Sequence, residues 1–212
     1  MAAVLAAGLT ERGLRVAAFK PALTGCDEPP AAAWDWPPDD VVLAAVTGQR
    51  PQDVAPWRFG PAVSPHLAAA LAGSRLDPPE LLAAARAAAA RTDRLVVEGV
   101  GGILVPLTED YAVRDFARDL GLPVVVAARA GLGTINHTLL TLEGLRAVDL
   151  EVAGVVLGPW PSPPGALEHS NRDTIARLGG VEVAVLPHVS DPSPPALAAA
   201  AAGLPLERWG LA

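Results

Sequence analysis

Three short stretches carry side chains suited to binding and moving a phosphate, and each closes an apolar run. The first is AAFKPALTGCD, residues 17–27, which holds Lys20, the only lysine in the chain; the other fifteen basic residues are arginine. An ammonium on a flexible stem is a compact, mobile point charge, whereas a guanidinium is a planar fork. Pro21 disfavours helix at Lys20 and sets the direction in which the chain leaves the run. A surface lysine beside a turn is the bland alternative; an ammonium in a crevice, facing a phosphate or carboxylate, is the chemical one. The second stretch is LVVEGVGG, residues 95–102, in which a buried-looking run ends in Glu98 and then Gly99, Val100, Gly101 and Gly102. An acid at that place can hold Mg²⁺ beside a nucleotide, directly or through water, and glycines let backbone approach a ligand closely. The third is AGLGTINH, residues 130–137, a Gly-rich turn in which Thr134 is suited to cap a helix. His137 there is expected to be a packed helix residue rather than a base.

These stretches must be held by the elements around them. Short β-branched runs at residues 14–19, 94–98, 123–127, 151–157 and 181–186 alternate with Ala/Leu segments of helical period at 2–12, 40–47, 64–72, 79–92, 112–120, 134–148 and 166–178. Most of the strand candidates are apolar on both faces, as strands of a covered parallel sheet should be. The alternation predicts one α/β domain over residues 1–212, an open, mostly parallel sheet with helices on both faces in three layers. In such a sheet ligands gather at the carboxyl ends of the strands, where all three stretches fall. Residues 25–40, 158–165 and 190–195 are rich in Pro, Gly and Asp and read as loops. The Ala-rich tail after Asp191 is expected to form a last helix.

Composition narrows the function classes. A formal net charge of −7 and 51% hydrophobic residues, mostly Ala, Val and Leu, give no footprint for nucleic acid. No run approaches the roughly 20 apolar residues that span a bilayer. The start lacks a basic segment and a cleavage site, so no secretory signal is expected. One cysteine, Cys26, forms no internal disulfide framework and fits a reducing cytoplasm.

FKPALTG, SPHLAAALAG at residues 64–73, VVEGVGGILVPL at 96–107 and GLGTINHTLLT at 131–141 together resemble the dethiobiotin synthetases, in family order and spacing over about residues 2–188. The resemblance implies a P-loop NTPase-like fold and an ATP-dependent carboxylation and ring closure in biotin biosynthesis. A diaminononanoate amine takes up CO₂ as a carbamate, ATP phosphorylates it, and the second amine displaces phosphate. It implies that Lys20 is the catalytic lysine, that Thr24 and Asn136 contact substrate, and that Asn136 does so across a homodimer interface. Glu98, Gly99, Val100 and Gly101 would lie against the nucleotide phosphates. Mg²⁺ would be held by Glu98 and a second acid, for which Asp40 fits better than Asp39. Gly158, Pro159, Leu186, Pro187 and His188 would lie near the base.

Two departures from the family pattern bear on these expectations. Family members usually carry an adenine-recognising Asn after the strand at 151–157, where this chain has Gly158-Pro159-Trp160, so base preference stays open. The family also opens with a strand and a Gly-rich loop ending Gly-Lys-Thr, and nothing here matches it. Residues 1–5 resemble the helix that follows that loop. The absent strand would lie centrally, with about five apolar residues at roughly 1.5 to 3 kcal/mol each, and its neighbours would keep unpaired edges. A natural start roughly 15 to 25 residues upstream, the length of a strand and a phosphate loop, is therefore expected. The alternative is a non-catalytic homologue that keeps the fold and cannot hold triphosphate. A third reading, a cobyrinate amidase of the same superfamily, is disfavoured by chain length and the missing glutaminase Cys and His.

Overall fold

The computed structural model describes residues 1–28 and 36–212; the loop expected over residues 25–40 lies partly outside them. Among the described residues, five strands alternate with nine helices. Strand β1 (Val16–Phe19) pairs in parallel with β2 (Arg94–Val97), and β4 (Val152–Trp160) lies between β3 (Val124–Ala128) and β5 (Val183–Pro187), again all parallel. The expected α/β parallel architecture is present, divided into a two-stranded and a three-stranded sheet. The edges of β2 and β3 that have no strand partner line a single cavity of about 650 Å³ between the two sheets. That cavity explains why β2 and most of β3 are only half-buried despite their apolar sequences, whereas β1 is buried throughout.

Helix α1 (Ala2–Glu11) is apolar on nearly all sides, and residues 2–9 are buried between the sheet, α2 (Asp39–Thr47) and α9 (Pro194–Ala201). A Cβ on Gly8 would meet Ala201 Cβ at 2.5 Å, so glycine is what lets α1 cross α9 at close range. The outer edge of β1 is closed by a side chain: Gln49 accepts from Ala18 N at 2.7 Å and donates to Ala18 O at 3.2 Å. An edge strand's backbone groups are thereby satisfied without another strand. The second core lies under β1 and β2, where Phe19 and Phe116 meet with ring centroids 6.2 Å apart and Leu81 and Leu107 are fully buried. The third joins β3–β5 to α7 (Thr134–Arg146) and α8 (Ala166–Gly179) through Leu142, Val155 and Ile175.

Several boundaries differ from expectation. Helix α2 starts at Asp39, so both acids lie in its first turn, where negative charge complements the helix dipole. One further turn, α3 (Pro51–Val54), was not expected; Pro51 at its first position pre-sets the helical φ. Strand β4 runs on to Trp160, through residues expected to be loop, because Trp160 stays paired with Pro187. Helices α4 (Pro65–Leu71), α5 (Pro78–Ala89) and α6 (Val113–Leu120) lie within a residue or three of the predicted spans, and the Ala-rich tail forms α9.

Candidate active site at the strand tips

Register builds the centre of the site. β1 and β2 are parallel with Phe19 opposite Val97, so Lys20 and Glu98, one residue further on, emerge side by side at the carboxyl ends. The ladder extends to them: Glu98 N donates to Phe19 O at 2.9 Å and Lys20 N to Val54 O at 2.8 Å. Lys20 is 5% exposed, and its ammonium donates to Glu98 Oε1 at 2.5 Å and to Asp39 Oδ2 at 2.7 Å. Burial opposes its charge, and the attraction of Glu98 and Asp39 outweighs burial, so its pKa lies above the ordinary lysine value. Burial pushes the Glu98 carboxyl up against the pull of Lys20, with the neighbouring Asp39 charge adding to the rise. Burial opposes the Asp39 charge too, but Lys20 prevails there and holds its carboxyl below the usual range.

Asp40 does not join this cluster. It is fully buried, its Oδ2 accepts a short bond from Arg58 Nη1, and its Oδ1 has no donor among the described residues. The acid beside Lys20 is Asp39, while Asp40, the residue that the family pattern favours, points into the interior. Arg58 was not anticipated; a buried acid needs a cation, and an arginine on the segment that pairs with Leu23 supplies it.

Thr24 lies in the loop after Lys20, half-buried. Backbone bonds from Leu23 to Trp57 O and from Cys26 to Phe59 O pin that loop, and Gly25 takes φ +80. After Glu98, Gly101 has φ +71, and a Cβ there would meet Val105 at 3.0 Å, so the 98–102 loop requires glycine at that turn.

The other candidates form separate groups. Gly158 and Pro159 lie beside Leu186, Pro187 and His188 at the β4–β5 tips; a Cβ on Gly158 would stand 3.2 Å from Leu186 O. His188 is exposed, and Trp160 meets His169 edge-on with centroids 6.1 Å apart. At α7 the N-cap is Gly133, not Thr134, which is the first helical residue; it is buried with its hydroxyl 3.4 Å from that of Thr138. Asn171 of α8 steadies the turn by donating to Ala130 O at 2.8 Å and Gly131 O at 3.2 Å. His137 is exposed rather than packed, and lines a second cavity of about 610 Å³ with Thr134, Thr138, Gly101 and Gly102. Asn136 is exposed on the same turn and, among the described residues, forms no hydrogen bond with the Lys20 cluster.

A buried ammonium between two carboxylates at the tips of parallel strands, followed by a Gly-rich loop, is an arrangement for phosphate and cation chemistry. The family profile described as "AAA domain" matches residues 1–196. The chain is 42% identical over 198 residues to the "ATP-dependent dethiobiotin synthetase BioD" of Mycobacterium sp. (strain KMS), covering 91% of this chain and 83% of that protein. It is 40% identical over 191 residues to the protein of the same name from Anaeromyxobacter sp. (strain Fw109-5), covering 88% and 82%, and 38% identical over 194 residues to that of Bacillus licheniformis, covering 90% and 80%. With these relatives aligned across nearly all of its length, the chain belongs to the dethiobiotin synthetase family.

Proposed function

We infer that the protein is the ATP-dependent ligase that closes the ureido ring of dethiobiotin in biotin biosynthesis. One amine of 7,8-diaminononanoate adds to CO₂ and loses a proton to give a carbamate. The carbamate oxygen takes the γ-phosphoryl group of ATP and releases ADP. The second amine then attacks the carbamoyl carbon, and phosphate leaves with the carbamate oxygen as the ring closes. The observation that carries this reading is the convergence of Lys20 and Glu98 on one point at adjacent strand tips.

Lys20 is assigned as the catalytic cation, which neutralises charge on the carbamate and on the transferring phosphoryl group; positioning and electrostatics supply most of such catalysis. Thr24 is assigned to substrate, and Gly99, Val100 and Gly101 to the nucleotide phosphates. Gly158, Pro159, Leu186, Pro187 and His188 are assigned to the base. Mg²⁺ suits the donor set, since it prefers one or two carboxylates with water and phosphate. The Glu98 carboxylate is a hard oxygen ligand of that kind, and Asp40, which stands apart from the Lys20 cluster and whose buried Oδ1 has no donor among the described residues, is assigned as the second acid. Bound there, the ion would neutralise phosphate charge. The cavity between β2 and β3 is flanked by parallel edges that pair with no further strand among the described residues.

Asn136 is assigned to substrate across a homodimer interface. No helix among the described residues is long and apolar enough to cross a membrane, and a cytoplasmic location follows from the biosynthetic role.

The test is ADP release in diaminononanoate, bicarbonate, ATP and Mg²⁺, on this chain and on the chain joined to the in-frame codons before Met1. Diamine-dependent ADP release from either form is the expected result. No diamine-dependent turnover from both would replace the enzyme by the non-catalytic homologue.

A further inference from the structure

We propose that Lys20 and a divalent cation are alternative occupants of the Glu98 carboxylate, and that Asp39 is the positioning residue that keeps the displaced ammonium at the strand tip. The proposal rests on the assignment of a cation to Glu98 made above.

The geometry states the competition. Lys20 Nζ donates a charge-assisted hydrogen bond to Glu98 Oε1, and the Lys20 side chain is 6% exposed. The ammonium therefore already neutralises the carboxylate that a cation would use. A second positive charge on the same carboxylate would stand within a few ångströms of the first, in a setting where water screens poorly. One occupant must yield, and the lysine, on a four-carbon stem, is the one that can pivot.

The two neighbouring acids differ in a way that fits this exchange. Asp40 is fully buried and tied to Arg58, so it cannot follow a moving partner. Asp39 has a side chain 55% exposed on the first turn of α2; it accepts from Lys20 at 2.7 Å and also feels the charge of the chain's N-terminal ammonium. When Lys20 leaves Glu98, Asp39 keeps it at the strand tip. The cation thus frees the ammonium from Glu98, and Asp39 retains it.

Coupling of this kind is reciprocal: an ammonium that weakens cation binding is itself released by the cation. Mn²⁺, visible by electron paramagnetic resonance, serves as the probe. Lys20→Met is expected to tighten Mn²⁺ binding by about tenfold, a typical coupling for groups in contact. Asp39→Asn is expected to weaken it by about threefold in the wild-type background, because the displaced ammonium then has no partner, and to have no effect when combined with Lys20→Met. Unchanged or weaker Mn²⁺ binding in Lys20→Met overturns the exchange, as does an absence of Mn²⁺ binding to the wild type. An equal loss from Asp39→Asn in both backgrounds makes Asp39 a ligand and overturns its positioning role.

A measurement on the unaltered chain does not depend on how the variants fold. Lys20 is the only lysine, so trinitrobenzenesulfonate labelling followed by peptide mass spectrometry reports on one ε-amine. Mn²⁺ or Mg²⁺ is expected to accelerate its labelling several-fold, and an unchanged or slowed rate overturns the proposal. Substrate-dependent ADP release is scored separately, so loss of the ligase reading and loss of the exchange are distinguishable.

Discussion

The two sheets of this protein are finished in different ways. The β1–β2 sheet is narrow, its outer edge is closed by the Gln49 amide, and its tip holds Lys20, Glu98 and Asp39 within hydrogen-bond distance of one another. The β3–β5 sheet is broader and is held by packing. Val155, Val156 and Leu157 of its central strand are fully buried, Trp209 covers Gly154, and its tip presents Gly158, Pro159 and Pro187, with no carboxylate or ammonium. The comparison separates two tasks. Charge is concentrated at the tip assigned to phosphoryl transfer, while the tip assigned to the base offers shape and backbone groups.

The most severe way to break this division is to remove the charge from the first tip. Lys20→Ala is expected to lower turnover by about 10²- to 10³-fold, the cost of losing a positioned electrostatic contact. Lys20→Arg is expected to recover little of it, because a planar fork cannot follow a migrating group. ADP-release kinetics on both variants check this, and near-wild-type turnover by Lys20→Arg would remove the case for a point charge.

The next comparison is between Asp40 and Arg58, whose ion pair is buried at one end only. Asp40 is fully buried, while the Arg58 side chain is 40% exposed. Arg58→Leu strands a buried carboxylate and is expected to destabilise by about 3 kcal/mol, near the lower end for breaking such a pair. Asp40→Asn leaves an arginine that can turn to water, and is expected to cost less than half of that. Urea midpoints for the two variants test the asymmetry; equal losses would mean that Arg58 is held as tightly as Asp40.

Packing in the second sheet is probed by Gly154→Ala. The added Cβ would fall 2.3 to 2.7 Å from ring atoms of Trp209, so the indole must move off β4 and take with it the Trp209 bond to Glu182. Overpacking of this kind costs roughly 1–3 kcal/mol, which for a domain of this size lowers Tm by about 2–4 °C per kcal/mol. An unchanged Tm would show the Trp209 segment to be loosely seated.

How much of this was legible in the sequence follows the same division. Strand and helix order could be read because each element has its own period, and the strand tips could be read because Lys20-Pro21 and Glu98-Gly99 place chemistry at the point where apolar runs stop. The side-by-side arrangement of Lys20 and Glu98 needed a register, which an alternation of elements implies but does not give. Asp39 and Asp40 could not be told apart because adjacent residues in a helix's first turn point about 100° from each other, and which one meets Lys20 depends on how α2 seats. Arg58 was invisible because its partner is eighteen residues away, across the two helices α2 and α3. The division of the sheet was hidden for another reason: apolar strands read alike whether their edges are paired or open.

The mildest effect is expected at the opposite end of the charged sheet, where β1 and β2 begin. Asp93 accepts from Arg15 N at 2.9 Å and from its guanidinium at 2.8 and 3.1 Å, and the Arg15 hydrogen bonds hold the carboxyl down to about 2. The folded value lies below the roughly 3.9 of an unfolded aspartate. The pair's contribution is therefore fully present above about pH 4 and is lost as pH falls toward 2. Because both side chains are substantially exposed, water and salt screen the pair and the contribution is small. Wild type and Asp93→Asn are accordingly expected to differ slightly in Tm at pH 6, and to converge near pH 2. The Lys20 cluster sits at the buried end of the same two strands, so added salt should erase the Asp93 difference while leaving the labelling behaviour of Lys20 intact. A difference that persists at pH 2 would mean that Asp93 acts through its backbone-capping bond to Arg15 N rather than through charge.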